Sequence, residues 1–335
     1  MMNNSGIQRG RVILLAVIFC FSSTAFSAGR SGFPVAKTLM NARSLALGGA
    51  SISIQGWGSG ANLNPASAAG YKNDVSVSYA NHTLDLWSGQ IFMSVEIAPK
   101  ITTGIFLSTF DFGDFEVSES GIGPTGETFA AGEYILSGYF AGKMTANIDL
   151  GISAKYLWGR IKDESASAMA FDIGAIWTTG WENVNIAIVG RNVGVQLNSY
   201  GSEDGTLPTE LLIGGSRKIE HLPLTIYSVL IASRTGEEDW TADFLPSSPG
   251  IGFGVGGEFA VVSEGKSQPM MIRMGYRSRA QGLQMGHPLD LIAGFTFGVG
   301  FNIKKFNIDY TYAPMGALGD LHRFSLETNI LSRIL

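Results

Sequence analysis

The sequence predicts an all-β fold, a transmembrane antiparallel β-barrel of about fourteen strands, preceded by an N-terminal segment that plugs or caps the lumen. Three observations lead there. The N-terminus has the layout of a secretion signal, the rest alternates apolar and polar residues in short segments, and the connections between those segments alternate in length.

Arg9 and Arg11 precede an apolar run from Val12 to Phe21, and Ser22 to Ala28 is small and polar apart from Phe26. This pattern assigns residues 1–28 to a signal peptide. Cleavage after Ser27 places Ala25 and Ser27 at the two small-residue positions that the peptidase reads. Cys20, the one cysteine in the chain, falls within the apolar run and lacks a small residue before it, as lipidation requires. The mature chain is therefore expected to carry no thiol or disulfide chemistry.

Glycine is abundant, at 44 of 335 residues, and charge is sparse, at 15%. Past the signal no apolar run approaches the ~20 residues that a spanning helix needs. Any spanning structure then has to be a closed sheet, because backbone groups in hydrocarbon must all be paired. The net charge of -5 and the scattered Lys and Arg residues exclude a nucleic-acid partner.

After a plug or cap segment at 29–74, alternation places the barrel at 75–335, with strands near 75–80, 89–97, 101–110, 133–142, 148–161, 167–178, 184–192, 209–218, 224–233, 250–262, 269–279, 289–301, 306–312 and 321–331. In the first, Val75, Val77 and Tyr79 oppose Ser76 and Ser78. In 306–312, Phe306, Ile308, Tyr310 and Tyr312 oppose Asn307, Asp309 and Thr311. Near the C-terminus, Phe324, Leu326 and Ile330 oppose Ser325, Glu327 and Asn329. At 269–279 a lipid-facing Met270, Ile272, Met274 and Tyr276 sends Arg273, Arg277 and Arg279 inward. A charge on the lipid face at mid-depth costs ~2–4 kcal/mol, which selects that register.

The connections divide by parity. Longer ones at 80–88, 111–132, 162–166, 193–208, 234–249, 280–288 and 313–320 form an outer set; shorter ones at 98–100, 143–147, 179–183, 219–223, 263–268 and 302–305 form an inner set. With an even strand number, both termini lie in the periplasm of a bacterial outer membrane. Trp87, Trp158, Trp177, Trp181 and Trp240 fall near strand ends, where indoles anchor a barrel at the two interfaces.

Chemistry-bearing patterns are weak. Gly252, Gly254 and Gly257 match dinucleotide spacing, but no helical pattern follows, so they read as glycines easing curvature and packing. His82, His221, His287 and His322 are dispersed without metal-ligand spacing, and no Gly-x-Ser-x-Gly elbow is present. No catalytic residue, cofactor or metal is assigned. Lys155, Asp172, Arg191, Arg273, Arg277, Asp309 and Glu327 are placed facing the lumen, as a paired network that rigidifies the wall in preference to a selective channel.

The segment before the first strand, Ala42-Arg43-Ser44-Leu45-Ala46-Leu47-Gly48-Gly49-Ala50 and then Asn64-Pro65-Ala66, resembles the long-chain fatty-acid transporter superfamily of outer-membrane barrels. It resembles more closely the PorV/PorQ branch from the type IX secretion system. The likeness continues at Arg191-Asn192-Val193-Gly194, Leu207-Pro208-Thr209-Glu210-Leu211, Arg273-Met274-Gly275-Tyr276-Arg277 and Asp309-Tyr310-Thr311-Tyr312-Ala313-Pro314. The stretch Val193 to Leu224 is more similar to PorQ. The resemblance implies a fourteen-stranded barrel whose lumen is entered by the N-terminal segment, seated in part by the Asn64-Pro65-Ala66 turn. It also implies a non-catalytic role in protein secretion, with secretion-system subunits and cargo proteins as partners beside the membrane lipid. The alternative is a transporter for a hydrophobic ligand such as a fatty acid. A kinked strand with an opening in the wall and an apolar site under the plug would favour transport; a sealed wall with an apolar outer surface would favour partner binding.

Overall fold

The computed structural model describes residues 33–71, 74–82, 86–119, 123–200, 207–233, 250–261, 270–278, 292–316 and 319–328. The signal segment, Arg279, Trp240, His287, Asn329 and Ile330 lie outside them. The described strands are β1 Asp74–Asn81, β2 Trp87–Ala98, β3 Ile101–Glu119, β4 Gly123–Lys143, β5 Ile148–Ile161, β6 Glu164–Thr178, β7 Val184–Asn198, β8 Glu210–Lys218, β9 Leu224–Ser233, β10 Gly250–Val261, β11 Met270–Arg277, β12 Phe295–Ile303, β13 Phe306–Pro314 and β14 Asp320–Thr328. They form a closed antiparallel barrel in which each strand pairs with its sequence neighbours. Closure comes from β1 against β14, with Val75 opposite Thr328 and Asn81 opposite His322.

A closed ladder leaves no sheet edge in the wall, so the two faces are set by side chains alone. On β5, Ile148, Leu150, Ile152 and Tyr156 point outward and are exposed, while Asp149, Ser153, Lys155 and Leu157 are buried inside. The same alternation runs through β14, where Phe324 and Leu326 are outward and Arg323, Ser325 and Glu327 inward. This apolar outer band suits hydrocarbon, and no described helix is long and apolar enough to cross a membrane.

Four boundaries differ most from expectation. Residues 111–119 and 123–132 are not loop: they continue β3 and β4 as a hairpin of 19- and 21-residue strands. A bilayer takes ~9–11 residues per tilted strand, so the hairpin projects by roughly 25 Å. The expected long connection at 162–166 is a two-residue turn, Lys162-Asp163, because Ile161 pairs with Glu164. Finally, β7 continues to Asn198 and β12 starts at Phe295 rather than near 289.

The lumen is filled by residues 33–71. These residues form short 3-10 turns and one five-residue helix, α1 Ala42–Ala46, and bury Phe33, Met40, Leu47 and Ile52 fully. A barrel with an alternating wall has a polar inside, and here that inside is matched to a folded plug.

Candidate functional site

The plug makes two kinds of contact with the wall. The first is steric. Wall glycines sit where the plug backbone comes closest, since a Cβ on Gly254 would lie 2.5 Å from the Gly48 carbonyl oxygen and one on Gly256 2.7 Å from that of Leu47. Gly275 likewise faces Ala46 to Gly48, Gly151 faces Pro65 and Gly174 faces Asn64. Gly48 and Gly49 take φ of 61° and 78°, which lets the chain turn sharply after α1. Gly254 and Gly256 thus serve close backbone approach, and among the described residues no helix follows β10 as a dinucleotide site needs.

The second kind is polar. Asn41 caps α1, its side chain accepting from the Arg43 amide at 2.8 Å. Arg43 then forks onto Glu258, at 2.9 Å from Nε and 2.7 Å from Nη2, and its guanidinium lies 5.0 Å from the centre of the Trp57 ring. Glu258 also accepts from Arg273 Nε at 2.6 Å, and Arg273 reaches Asp309 through Nη1. The result is an alternating chain of four charges, Arg43–Glu258–Arg273–Asp309, in which each charge has an opposite neighbour in a low-dielectric setting. Arg277 extends beside Gly49.

Ala42 to Ala50 is held on several sides. The Ala42 amide donates to Ser325 Oγ at 2.9 Å, Thr311 Oγ1 donates to the Ala42 carbonyl at 2.6 Å, and Thr296 Oγ1 to that of Ala46 at 3.0 Å. Leu47, Ala50 and Ile52 pack with Leu212, Val229 and Ile231. Asn64 Oδ1 accepts from the Ala66 amide at 3.0 Å and its Nδ2 donates to the Ile52 carbonyl at 2.6 Å, so this side chain staples two plug turns together. Close by, Glu327 accepts from Ser59 Oγ at 2.8 Å and Trp57 Nε1 at 3.3 Å. The Tyr71 hydroxyl lies 2.9 Å from Glu327 Oε1 and 2.8 Å from Asp74 Oδ2; burial and the two carboxylates raise its pKa.

A separate cluster lies toward the long-connection end. Lys155 Nζ is 2.6 Å from Asp172 Oδ2 and donates to Asn192 Oδ1 at 2.9 Å, while the Asn192 amide donates to Asp172 Oδ1 at 2.8 Å. Asn192 has φ 54°, and Arg191 and Asn192 together oppose Asp172 across the β6–β7 ladder, which makes a β-bulge. Arg191 pairs with Glu210 at 3.1 Å and donates to the Ala36 carbonyl at 3.2 Å. Thr209 Oγ1 donates to the Asn192 carbonyl at 3.0 Å. The segments 191–194 and 207–211 therefore meet at the plug. Pairing of β7 with β8 stops at Arg191–Glu210, although β7 runs on to Asn198.

Beside that point the plug is apolar. Phe33, Val35 and Met40 pack against Leu157, Leu207 and the inward alanines of β6. One carboxylate, Glu133, accepts from the Val35 amide at 3.0 Å. Sequence reasoning did not place Glu133, Glu210, Glu258 or Arg323 among the lumen-facing charges, although each takes an inward, buried position. Arg323 is fully buried and donates to the Met40 carbonyl at 3.0 Å and Ser88 Oγ at 2.8 Å. His82 Nε2 is 2.8 Å from the same Ser88 hydroxyl, and burial together with Arg323 lowers the His82 pKa to about 4. Among the described residues no group of His, Cys, Asp and Glu is arranged to hold a metal ion.

No protein-family model matches this sequence, and no curated protein matches it. Solved structures do. A Pseudomonas aeruginosa FadL homologue aligns with TM-score 0.54 at 12% identity, over 90% of this chain and 99% of its own. The common ground is the fold. The CymD monoaromatic hydrocarbon channel aligns at 0.52 and 10% identity, over 86% and 96% of the two chains, and the Pseudomonas putida toluene transporter TodX at 0.51 and 12%, over 85% and 95%. The chain, a closed barrel of fourteen described strands, thus shares its β-barrel fold with these structures.

Proposed function

We propose that the protein passes hydrophobic small molecules across the outer membrane, with its long-connection end facing outward. The observation that carries this reading is the place of Phe33 to Met40, an apolar segment in the lumen beside the point where the β7–β8 ladder ends. A hydrophobic molecule replacing Phe33 and Val35 would enter a site lined by Leu157, Leu207 and the β6 alanines. Burying a Phe or Val side chain is worth ~1.5–3 kcal/mol, so a ligand of similar apolar area competes with the plug on nearly equal terms. The bulge at Asn192 kinks β7 and the β7–β8 pairing ends beside it, so a ligand leaving sideways there would avoid the charged zone below. That CymD and TodX are described as a hydrocarbon channel and a toluene transporter supports the reading.

The second reading is a non-catalytic component of a type IX secretion system, with subunits and cargo proteins as partners. One feature favours it. The projecting hairpin carries Asp111, Asp114, Glu116 and Glu127 with no Lys or Arg in 111–132, and among the described residues no strand pairs with its outer edges beyond Asp111 and Ala131.

The test uses thiols, since Cys20 lies in the assigned signal segment. Ala36→Cys with Leu207→Cys, joined by a short bifunctional maleimide, should pin the apolar segment. Uptake of labelled toluene and of labelled dodecanoate by cells carrying the barrel should exceed that of cells without it, and cross-linking should abolish the excess. No excess uptake of either, or an excess that survives cross-linking, refutes transport. Loss of surface cargo on deleting 112–130, with uptake at background, would favour secretion.

A further inference from the structure

Outside the barrel, at the long-connection end, a groove of about 730 Å³ lies between the β4 edge of the projecting hairpin and the β5–β6 turn. Its floor is aromatic. Tyr134 and Trp158 face outward from β4 and β5 with ring centroids 5.3 Å apart and planes 16° from parallel, and Tyr156 continues the stack 5.8 Å beyond Trp158. Its rim is polar and of both signs, with Arg160 tethered through Nε to the Lys162 carbonyl at 3.0 Å, Asp163 beside it in the turn and Glu127 on the hairpin.

The chemistry of the groove selects its occupant. A bare phosphate is a poor match, because Asp111, Glu127 and Asp163 outnumber Arg160 and Lys162 on the lining. An alkyl chain alone would leave those five groups unused. A pyranose ring uses both parts, since its C–H face meets the negative faces of Tyr134 and Trp158, and its hydroxyls donate to carboxylates and accept from the cations. Next along the outward face of β4 after Tyr134 comes Leu136, which pairs with Leu107 of β3; both are outward and nearly half exposed. Such continuity fits a sugar with an apolar tail.

We propose that this groove binds the saccharide headgroup of a membrane glycolipid, whose acyl chains lie against Leu107 and Leu136. The site is on the opposite side of the wall from the plug and does not depend on what the lumen carries. Its occupant tethers the acidic hairpin to the leaflet around it.

The barrel, purified in a detergent without a sugar head, is titrated under native mass spectrometry with dodecyl maltoside, dodecylphosphocholine and free maltose. A single dodecyl maltoside adduct is expected, held about tenfold more tightly than dodecylphosphocholine, with free maltose weaker by at least that factor. Trp158→Ala and Glu127→Ala should each reduce the dodecyl maltoside affinity by about tenfold, the loss of one aromatic or one charge-assisted contact. Glu127 is exposed on the hairpin, so this variant keeps the barrel intact even if Trp158→Ala impairs assembly. Equal retention of the two detergents, maltose binding as tightly as dodecyl maltoside, or unchanged affinity in Glu127→Ala overturns the proposal.

Discussion

Gly256→Ala and Gly257→Ala form a matched pair one residue apart on β10, one facing the plug and one facing outward. At 256 the added methyl would lie 2.7 Å from the Leu47 carbonyl oxygen and 2.9 Å from its Cα, both backbone atoms, whereas at 257 it meets only Leu224 Cδ1 at 3.7 Å. Ordinary contact begins at 3.4 Å, so the plug at Leu47 has to retreat by about 0.7 Å. Leu47 follows α1 directly, and a shift there lengthens the 2.7 Å bond from Arg43 to Glu258. Overpacking of this kind costs ~1–3 kcal/mol, which raises the unseated population by about 5- to 150-fold. Gly257→Ala should instead stabilise its strand by ~0.5–1 kcal/mol, because glycine loses more backbone freedom on folding. The assay is trypsin cleavage after Arg43 in detergent, with heat-modifiable gel migration reporting the barrel. When reclosing outruns cleavage, the rate follows the open population. Equal cleavage rates in the two variants would refute the argument that wall glycines seat the plug.

Two further outcomes are expected. Tyr310→Lys, on the lipid face of β13, should impair membrane assembly by ~2–4 kcal/mol, while Asn307→Lys on the opposite face and nearer the strand end should be close to neutral; fractionation of the two variants checks this, and equal defects would contradict the register. Lys155→Met leaves Asp172 buried without its cation and should cost ~3–5 kcal/mol in denaturant unfolding, whereas the double variant Lys155→Met with Asp172→Leu should recover most of the loss. A double variant no better than the single would show that Asp172 acts mainly through the Asn192 amide.

Strand placement was legible wherever the two faces of the sheet meet different surroundings. Ser76 and Ser78 against Val75, Val77 and Tyr79 encode a plug on one side and hydrocarbon on the other, and the ladder has them so. The same logic explains the failures. Residues 112–119 have solvent around them, so strand pairing there, marked by the Phe115–Phe129 stack at 5.5 Å, needs no alternation and showed none. In β7 the bulge at Asn192 shifts the period by one: Arg191 faces inward, yet Val193, Val195 and Leu197 all face outward. An unbroken alternation ended the strand there on paper. Inward charges could be located one strand at a time, but Arg43 meets Glu258 across 215 residues and Arg191 meets Ala36 across 155. Nothing in local spacing encodes those meetings, which arise only when the plug lies in the closed lumen.

The plug grips the last strand hardest. Met40 is held by Arg323, Ala42 by Ser325, and Trp57, Ser59 and Tyr71 by Glu327, over separations of 256 to 283 residues. These partners arrive only once β14 has joined the barrel, so a barrel caught one strand short lacks these holds on the plug. Seating then becomes a completion check made by some of the least local contacts in the chain, and a protease-resistant N-terminus reports that the ring has closed.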